Sequence, residues 1–201
     1  MTWAIFEEEP NTVAIGELLS SKSDRVVAVV GGALLDEHLQ RTLIRRLRKS
    51  GVIDGLIKQD APLGNVGPKI DLLYLLQAFE KPMYQALKAI AGVRNFFAHE
   101  LDASFQSQDS KFLDHMKYLN LHKSRSHYPH HWLPWEDTKV PLEPINNNRD
   151  QFIVNLKLGL LALMQDRVSH HRHSNDQLTR KEVEEKFRAR AARKGQEPAD
   201  E

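Results

Sequence analysis

The spacing of apolar residues along most of this chain is that of helices with one buried face. Apolar positions recur every three to four residues, and no long stretch alternates apolar and polar residues as a half-buried strand does. The pattern therefore predicts an all-α, up-and-down helical bundle of about five helices. The helical runs are residues 24 to 50, a short run from Pro68, a run from Lys81 to about His99, residues 110 to 121 and residues 149 to 169.

The first long helix has recognisable end signals and an unusual middle. Asp24 is the expected N-cap, and Gly51 is placed to end the helix. Gly31 and Gly32 lie between them, where two glycines weaken a helix by roughly 1–2 kcal/mol. Their presence indicates that another backbone approaches closely at this point or that the helix bends.

The chain divides into a leader at 1–22, a bundle domain at 23–172 and a charged tail at 173–201. The apolar residues of the leader can form one docking turn or a short helix. Within the bundle domain, residues 122–148 lack helical periodicity and are rich in Pro, Trp and His, which predicts a long irregular loop. A capping-box pattern in the tail predicts a solvent-facing helix from Thr179 to about Arg193. The expected core residues are Val30, Leu34, Leu73, Leu76, Leu87, Ile90, Phe97, Phe112, Met116, Leu156, Leu160 and Leu163.

Composition narrows the class of protein. The 201 residues include no cysteine, which excludes disulfides and thiolate metal sites. No apolar run reaches transmembrane length, so we expect a cytoplasmic protein with no membrane contact. The loop histidines show no regular ligand spacing, and we expect neither a metal nor a cofactor. These histidines are His122, His127, His130 and His131.

Basic residues are concentrated in two places although the net charge is only +1. Any contact with nucleic acid must therefore come from local patches rather than from a global positive field. Both clusters have two interpretations. The structural one is a solvated helix face, and the functional one is a nucleic-acid-binding surface. The candidate nucleic-acid-binding residues are Arg45, Arg46, Arg48 and Lys49 in the first cluster and Lys186, Arg188, Arg190 and Arg193 in the second.

The best clue to function is a polar interruption near the end of the helix that starts at Lys81. Asn95 and His99 are four residues apart and share a helix face, and the long side chain of Arg94 can swing to the same side. A guanidinium fork, an amide and an imidazole are suited to a phosphate group and to proton transfer. The structural alternative is that Arg94 and His99 only cap the negative end of the helix.

Three segments together resemble the mannitol operon repressor (MltR) family and, more broadly, the HEPN helical domains. The segments are Ala61-Pro62-Leu63-Gly64, Lys69-Ile70-Asp71-Leu72-Leu73-Tyr74-Leu75-Leu76 and Val93-Arg94-Asn95-Phe96-Phe97-Ala98-His99. The resemblance covers roughly residues 24 to 120. The sequence differs from the mannitol branch in its long His/Trp/Pro loop and its charged tail.

The resemblance implies a HEPN-like bundle that pairs as a homodimer, with two Arg/His motifs meeting near the interface. It leaves two functions open. The preferred one is a regulator of transcription or of an operon, which binds a regulatory protein or nucleic acid without being an enzyme. The alternative is a metal-independent endoribonuclease of toxin–antitoxin or defence type. In that case the resemblance implies that His99 is catalytic, Arg94 holds the phosphate and Asn95 orients them.

Overall fold

The computed structural model describes residues 11–47, 51–58, 60–123 and 144–164. This part of the chain contains seven helices packed as a bundle and no strand, which confirms the predicted all-α class. The expected number of about five was too low: α1 is the short helix expected as one possibility in the leader, and α3 was not predicted. The helices are α1 (Asn11–Ser20), α2 (Asp24–Arg46), α3 (Gly51–Leu56), α4 (Val66–Leu75), α5 (Lys81–His99), α6 (Ser110–Tyr118) and α7 (148–164).

Helix α2 begins at Asp24, as predicted, but its N-cap and its C-terminal end differ from the prediction. The N-cap is Ser23, whose hydroxyl accepts the Val26 N–H at 3.4 Å. Asp24 instead accepts the Phe105 N–H at 3.0 Å and pairs with Arg149 at 3.4 Å, so its carboxylate joins the start of α2 to the start of α7. The helix ends at Arg46 because the next residue is extended. Gly51 begins α3 rather than ending α2.

The predicted core is largely confirmed. Every residue expected there is buried except Val30 and Leu76, which are half-buried and pack against the core. Helix α5 lies against α2, α4 and α6. Rings of the α5–α6 region and of α7 form one aromatic cluster, in which Phe97 lies 4.8 Å from Phe105 and Phe105 lies 5.4 Å from Phe152 between ring centroids. This cluster fixes the C-terminal half of α5.

Two side chains of the segment from Lys69 to Leu76, one of the three that carry the resemblance, connect α4 to neighbouring helices. Lys69 is 1% exposed, and its ammonium donates to the Asp36 carboxylate of α2 at 2.6 Å. Asp71 accepts the Tyr84 hydroxyl of α5 at 3.0 Å and the Lys88 ammonium at 2.9 Å. A buried ammonium is tolerated only when it is paired, so Lys69 ties α4 to α2 as Asp71 ties α4 to α5.

A buried amide ties the end of α6 to α7. The Asn155 side chain accepts the Leu121 N–H at 2.8 Å and donates to the Leu119 carbonyl at 3.0 Å. Gln151, one turn earlier, donates to the same carbonyl at 2.7 Å. These bonds satisfy backbone groups that would otherwise be buried without partners where the chain leaves α6.

None of the described helices is both long and apolar enough to span a bilayer. Most of the predicted loop, at 124–143, lies outside the described residues, as does the tail at 173–201.

Candidate functional site

The predicted motif occupies the last two turns of α5. Asn95 and His99 are exposed there, and Arg94 is half-buried. The guanidinium of Arg94 reaches round the helix and donates from Nη1 to Oδ1 of Asn95 at 3.1 Å. The three side chains therefore lie at one end of one helix, with Asn95 and His99 on its exposed side.

Arg25, from the start of α2, holds the end of α5. Its guanidinium donates to the carbonyls of Phe97, Glu100 and Leu101, the last two at 2.6 and 2.7 Å. These carbonyls lie in the last turn of α5 and in the two residues that follow it, at the partly negative end of the helix. A cation from another helix therefore donates to the end of α5, whereas Arg94 donates to Asn95 and His99 lies in the last turn.

Gly32 makes room for Arg94. A methyl group at Gly32 would lie 2.9 Å from Cβ of Arg94, 3.3 Å from Cδ and closer still to Cγ. The structure places side chains, rather than the expected second backbone, closest to Gly31 and Gly32. At Gly31 the neighbours are the side chains of Leu156, at 2.8 Å, and Phe152, at 3.0 Å. The stem of Arg94 is thus fixed against α2, which limits where its guanidinium can lie.

A second glycine, Gly92, makes room for a second imidazole. A methyl group at Gly92 would lie 2.6 Å from Nδ1 and 2.5 Å from Nε2 of His115. The His115 ring, which comes from α6, therefore rests directly on the backbone of α5. Its side chain is half-buried, so part of it remains accessible to solvent.

The basic clusters are only partly within the described residues. Arg45 is exposed, as a nucleic-acid contact requires. Arg46 is half-buried and donates to the Leu76 carbonyl at 2.6 Å, so it ties α2 to the end of α4. The other candidates, Arg48, Lys49, Lys186, Arg188, Arg190 and Arg193, lie outside the described residues.

The end of α5 carries a guanidinium, from Arg94, and an imidazole, from His99. A guanidinium has five N–H donors, and within the described residues Arg94 uses one of them on Asn95, so several can meet phosphate oxygens. His99 supplies an imidazole, the side chain that most often carries proton transfers in catalysis. In the same residues, no group of three or more His, Asp or Glu side chains is arranged to hold a metal ion.

Sequence reasoning missed two residues of this site, Arg25 and His115. Arg25 is 69 or more positions away from the motif along the chain, and no local pattern relates the two. His115 looks like an ordinary polar position of an amphipathic helix. The available signals were the glycines, since Gly32 and Gly92 lie inside helices at the points where the Arg94 stem and the His115 ring come close.

Comparison with known proteins adds no family assignment. No protein-family profile matches this sequence, and neither the curated proteins nor the solved structures give a match. The resemblance to the mannitol operon repressor and HEPN groups therefore stays a prediction that rests on the three segments quoted for it.

Proposed function

We propose that the protein binds RNA at the Arg94–Asn95–His99 surface and cleaves it without a metal ion. The observation that carries the proposal is the position of Arg25, whose guanidinium, rather than that of Arg94, donates to the carbonyls at the end of α5. A guanidinium and an imidazole at an exposed helix end are then free to meet a phosphate. The HEPN-like spacing from Arg94 to His99 agrees with this proposal.

In the proposed reaction the 2′-hydroxyl of a nucleotide attacks its own 3′-phosphate. A base takes the hydroxyl proton, the bond to the 5′-oxygen breaks, and an acid returns a proton to that oxygen. Arg94 stabilises the negative charge that builds up on the phosphorane, and Asn95 holds the guanidinium in place. His99 carries one of the two proton transfers. The other proton transfer needs a second acid–base group, and the His99 of a second copy, in the homodimer expected from the sequence, is one candidate for it.

The test is cleavage of a fluorescent RNA oligonucleotide by the purified chain in excess EDTA. We expect products ending in 2′,3′-cyclic phosphate. His99→Ala, purified in the same way, should lose about 100- to 10,000-fold in rate because an acid–base group is removed. Arg94→Lys should also be impaired, since an ammonium cannot form the bidentate fork. The exposed Lys111 provides a control, Lys111→Gln, which should cleave as the wild type does.

The second candidate function is a regulator that binds nucleic acid or a protein without cleaving RNA. The observation that favours it is the exposed side chain of Arg45, one of the predicted nucleic-acid contacts, because a cation on an exposed helix face can contact a phosphate. Binding of RNA or DNA with no cleavage by wild type, and equal affinity for His99→Ala, would support the regulator and exclude the ribonuclease.

A further inference from the structure

His115 lies on the same side of α5 as the motif. On an ideal helix, Gly92, Asn95 and His99 follow at the i, i+3 and i+7 positions and so form one stripe. The His115 ring rests on this stripe at Gly92, where a methyl group would lie only 2.6 Å from Nδ1. The exposed Asn95 and His99 continue the stripe toward the end of the helix. Two imidazoles from different helices thus share one surface.

Helix geometry places the two imidazoles on either side of Asn95 along the stripe. Gly92 and His99 are seven residues apart, a rise of about 10 Å along the helix axis. Helical side chains lean toward the N-terminus, so the His99 ring is directed back toward Asn95 and the level of His115. Arg94 donates to Asn95, which stands between the two imidazoles on the stripe. A phosphate bound at Asn95 and Arg94 would therefore have an imidazole on either side.

We propose that His115 is the second proton-transfer residue of the site and acts in the same chain as His99. This inference rests on the proposed ribonuclease activity and gives the acid–base pair a source other than a second copy of His99. One imidazole takes the 2′-hydroxyl proton as the new O–P bond closes the cyclic phosphate. The other, entering as imidazolium, gives its proton to the 5′-oxygen as the P–O bond breaks. The two end in exchanged protonation states, which balances the step.

The experiment compares two substrates that differ in their leaving group. A dinucleotide needs a protonated leaving oxygen, whereas a nucleoside 3′-(4-nitrophenyl phosphate) releases a stable phenolate without help. Both His115→Asn and His99→Ala should cleave the dinucleotide at least about 100-fold more slowly than wild type. One of the two variants should recover to within about tenfold of wild type on the activated substrate, which identifies it as lacking the acid. Full activity of His115→Asn on both substrates would overturn the inference and leave the ribonuclease proposal intact. Absence of cleavage by wild type would instead remove the proposed function and the inference with it.

A second variant separates catalysis from folding. Gly92→Ala keeps the imidazole but displaces it, since the new methyl would overlap the ring. Introduced alone, Gly92→Ala should lower the rate of dinucleotide cleavage. Introduced together with His115→Asn, it should cause no further loss. Additive losses in the double variant would show that Gly92 acts through folding alone and would overturn the inference. Melting curves of each variant serve as the folding control.

Mixing variants tests whether both imidazoles belong to one chain. Equal amounts of His99→Ala and His115→Asn are combined, denatured and refolded together. No activity should return, because neither chain carries both residues. Recovery of a large part of wild-type cleavage would show that His115 serves the His99 of another copy, which overturns the same-chain assignment.

Discussion

Removing Arg25 should destabilise the protein more than removing any exposed arginine of the same helix. Arg25→Met keeps the aliphatic stem and deletes the guanidinium that donates to the carbonyls of Phe97, Glu100 and Leu101. The expected loss comes from these bonds and from the loss of a cation at the negative end of α5.

The size of the effect follows from the surroundings of the three acceptors. Glu100 and Leu101 are exposed, so water can replace the guanidinium at their carbonyls. The bond to the Phe97 carbonyl is partly buried and is not replaced as well. A hydrogen bond to a charged group contributes about 1.5–3 kcal/mol, so we expect Arg25→Met to lower the free energy of unfolding by about 2 kcal/mol. For a chain of this size that is a decrease of about 4–8 °C in melting temperature.

Urea unfolding followed by circular dichroism measures the change directly. Arg45→Met is the matched control, because Arg45 is exposed on the same helix, and it should stay within about 0.5 kcal/mol of wild type. Arg25→Lys should fall between Arg25→Met and wild type, since lysine keeps the charge but cannot fork to several carbonyls. Equal stability of Arg25→Met and Arg45→Met would show that the cap contributes nothing and would remove the main support for the proposed function.

Three further predictions concern single positions. Gly32→Ala should destabilise the protein by about 1–3 kcal/mol because the new methyl overlaps the Arg94 stem. Gly16→Ala has no atom within 4 Å of the new methyl and should stabilise α1 by up to about 1 kcal/mol. Urea unfolding of both variants tests the contrast. Burial, with Lys123 adding to it, lowers the pKa of His122. Its neutral form is therefore favoured in the folded state, so the stability that it contributes is present above about pH 6.5 and is lost as pH falls through the folded-state pKa, and His122→Asn should flatten this part of the pH–stability curve. Gln77 has φ of 55°, so Gln77→Gly should raise the melting temperature slightly, and a decrease would mean that the glutamine side chain has a packing role.

The helices were predictable because their signals are local. The apolar stripe of α5 was read from 3.6-residue periodicity, and Pro82 at its first turn marked the start. The start of α6 at Ser110 was likewise placed correctly. The N-cap of α2 was harder to predict. Ser23 and Asp24 are both good N-caps by residue type, and the sequence does not reveal that Phe105 and Arg149, distant along the chain, bind the Asp24 carboxylate.

The site was predictable only in part, for a related reason. Arg94, Asn95 and His99 are neighbours in sequence, so their shared location follows from helix geometry. The structural alternative considered only the nearest cations as caps, whereas the carbonyls at the end of α5 accept from Arg25, which tertiary packing brings there. Glycines in helices signalled close approach, but a sequence alone does not say which side chain approaches.

The site depends on the register between α2 and α5. Arg25 and Gly32 are seven residues apart, two turns on one face of α2, and they meet α5 at its end and at Arg94 respectively. The two contacts run in opposite order along the helices, which makes the pair antiparallel. A shift by one turn, about 5.4 Å, would move Arg25 off the carbonyls and a side chain into the space beside Gly32. One face of α2 therefore both caps α5 and contacts the Arg94 stem. A change that alters this register should impair both the stability of the protein and the phosphate chemistry proposed for the motif.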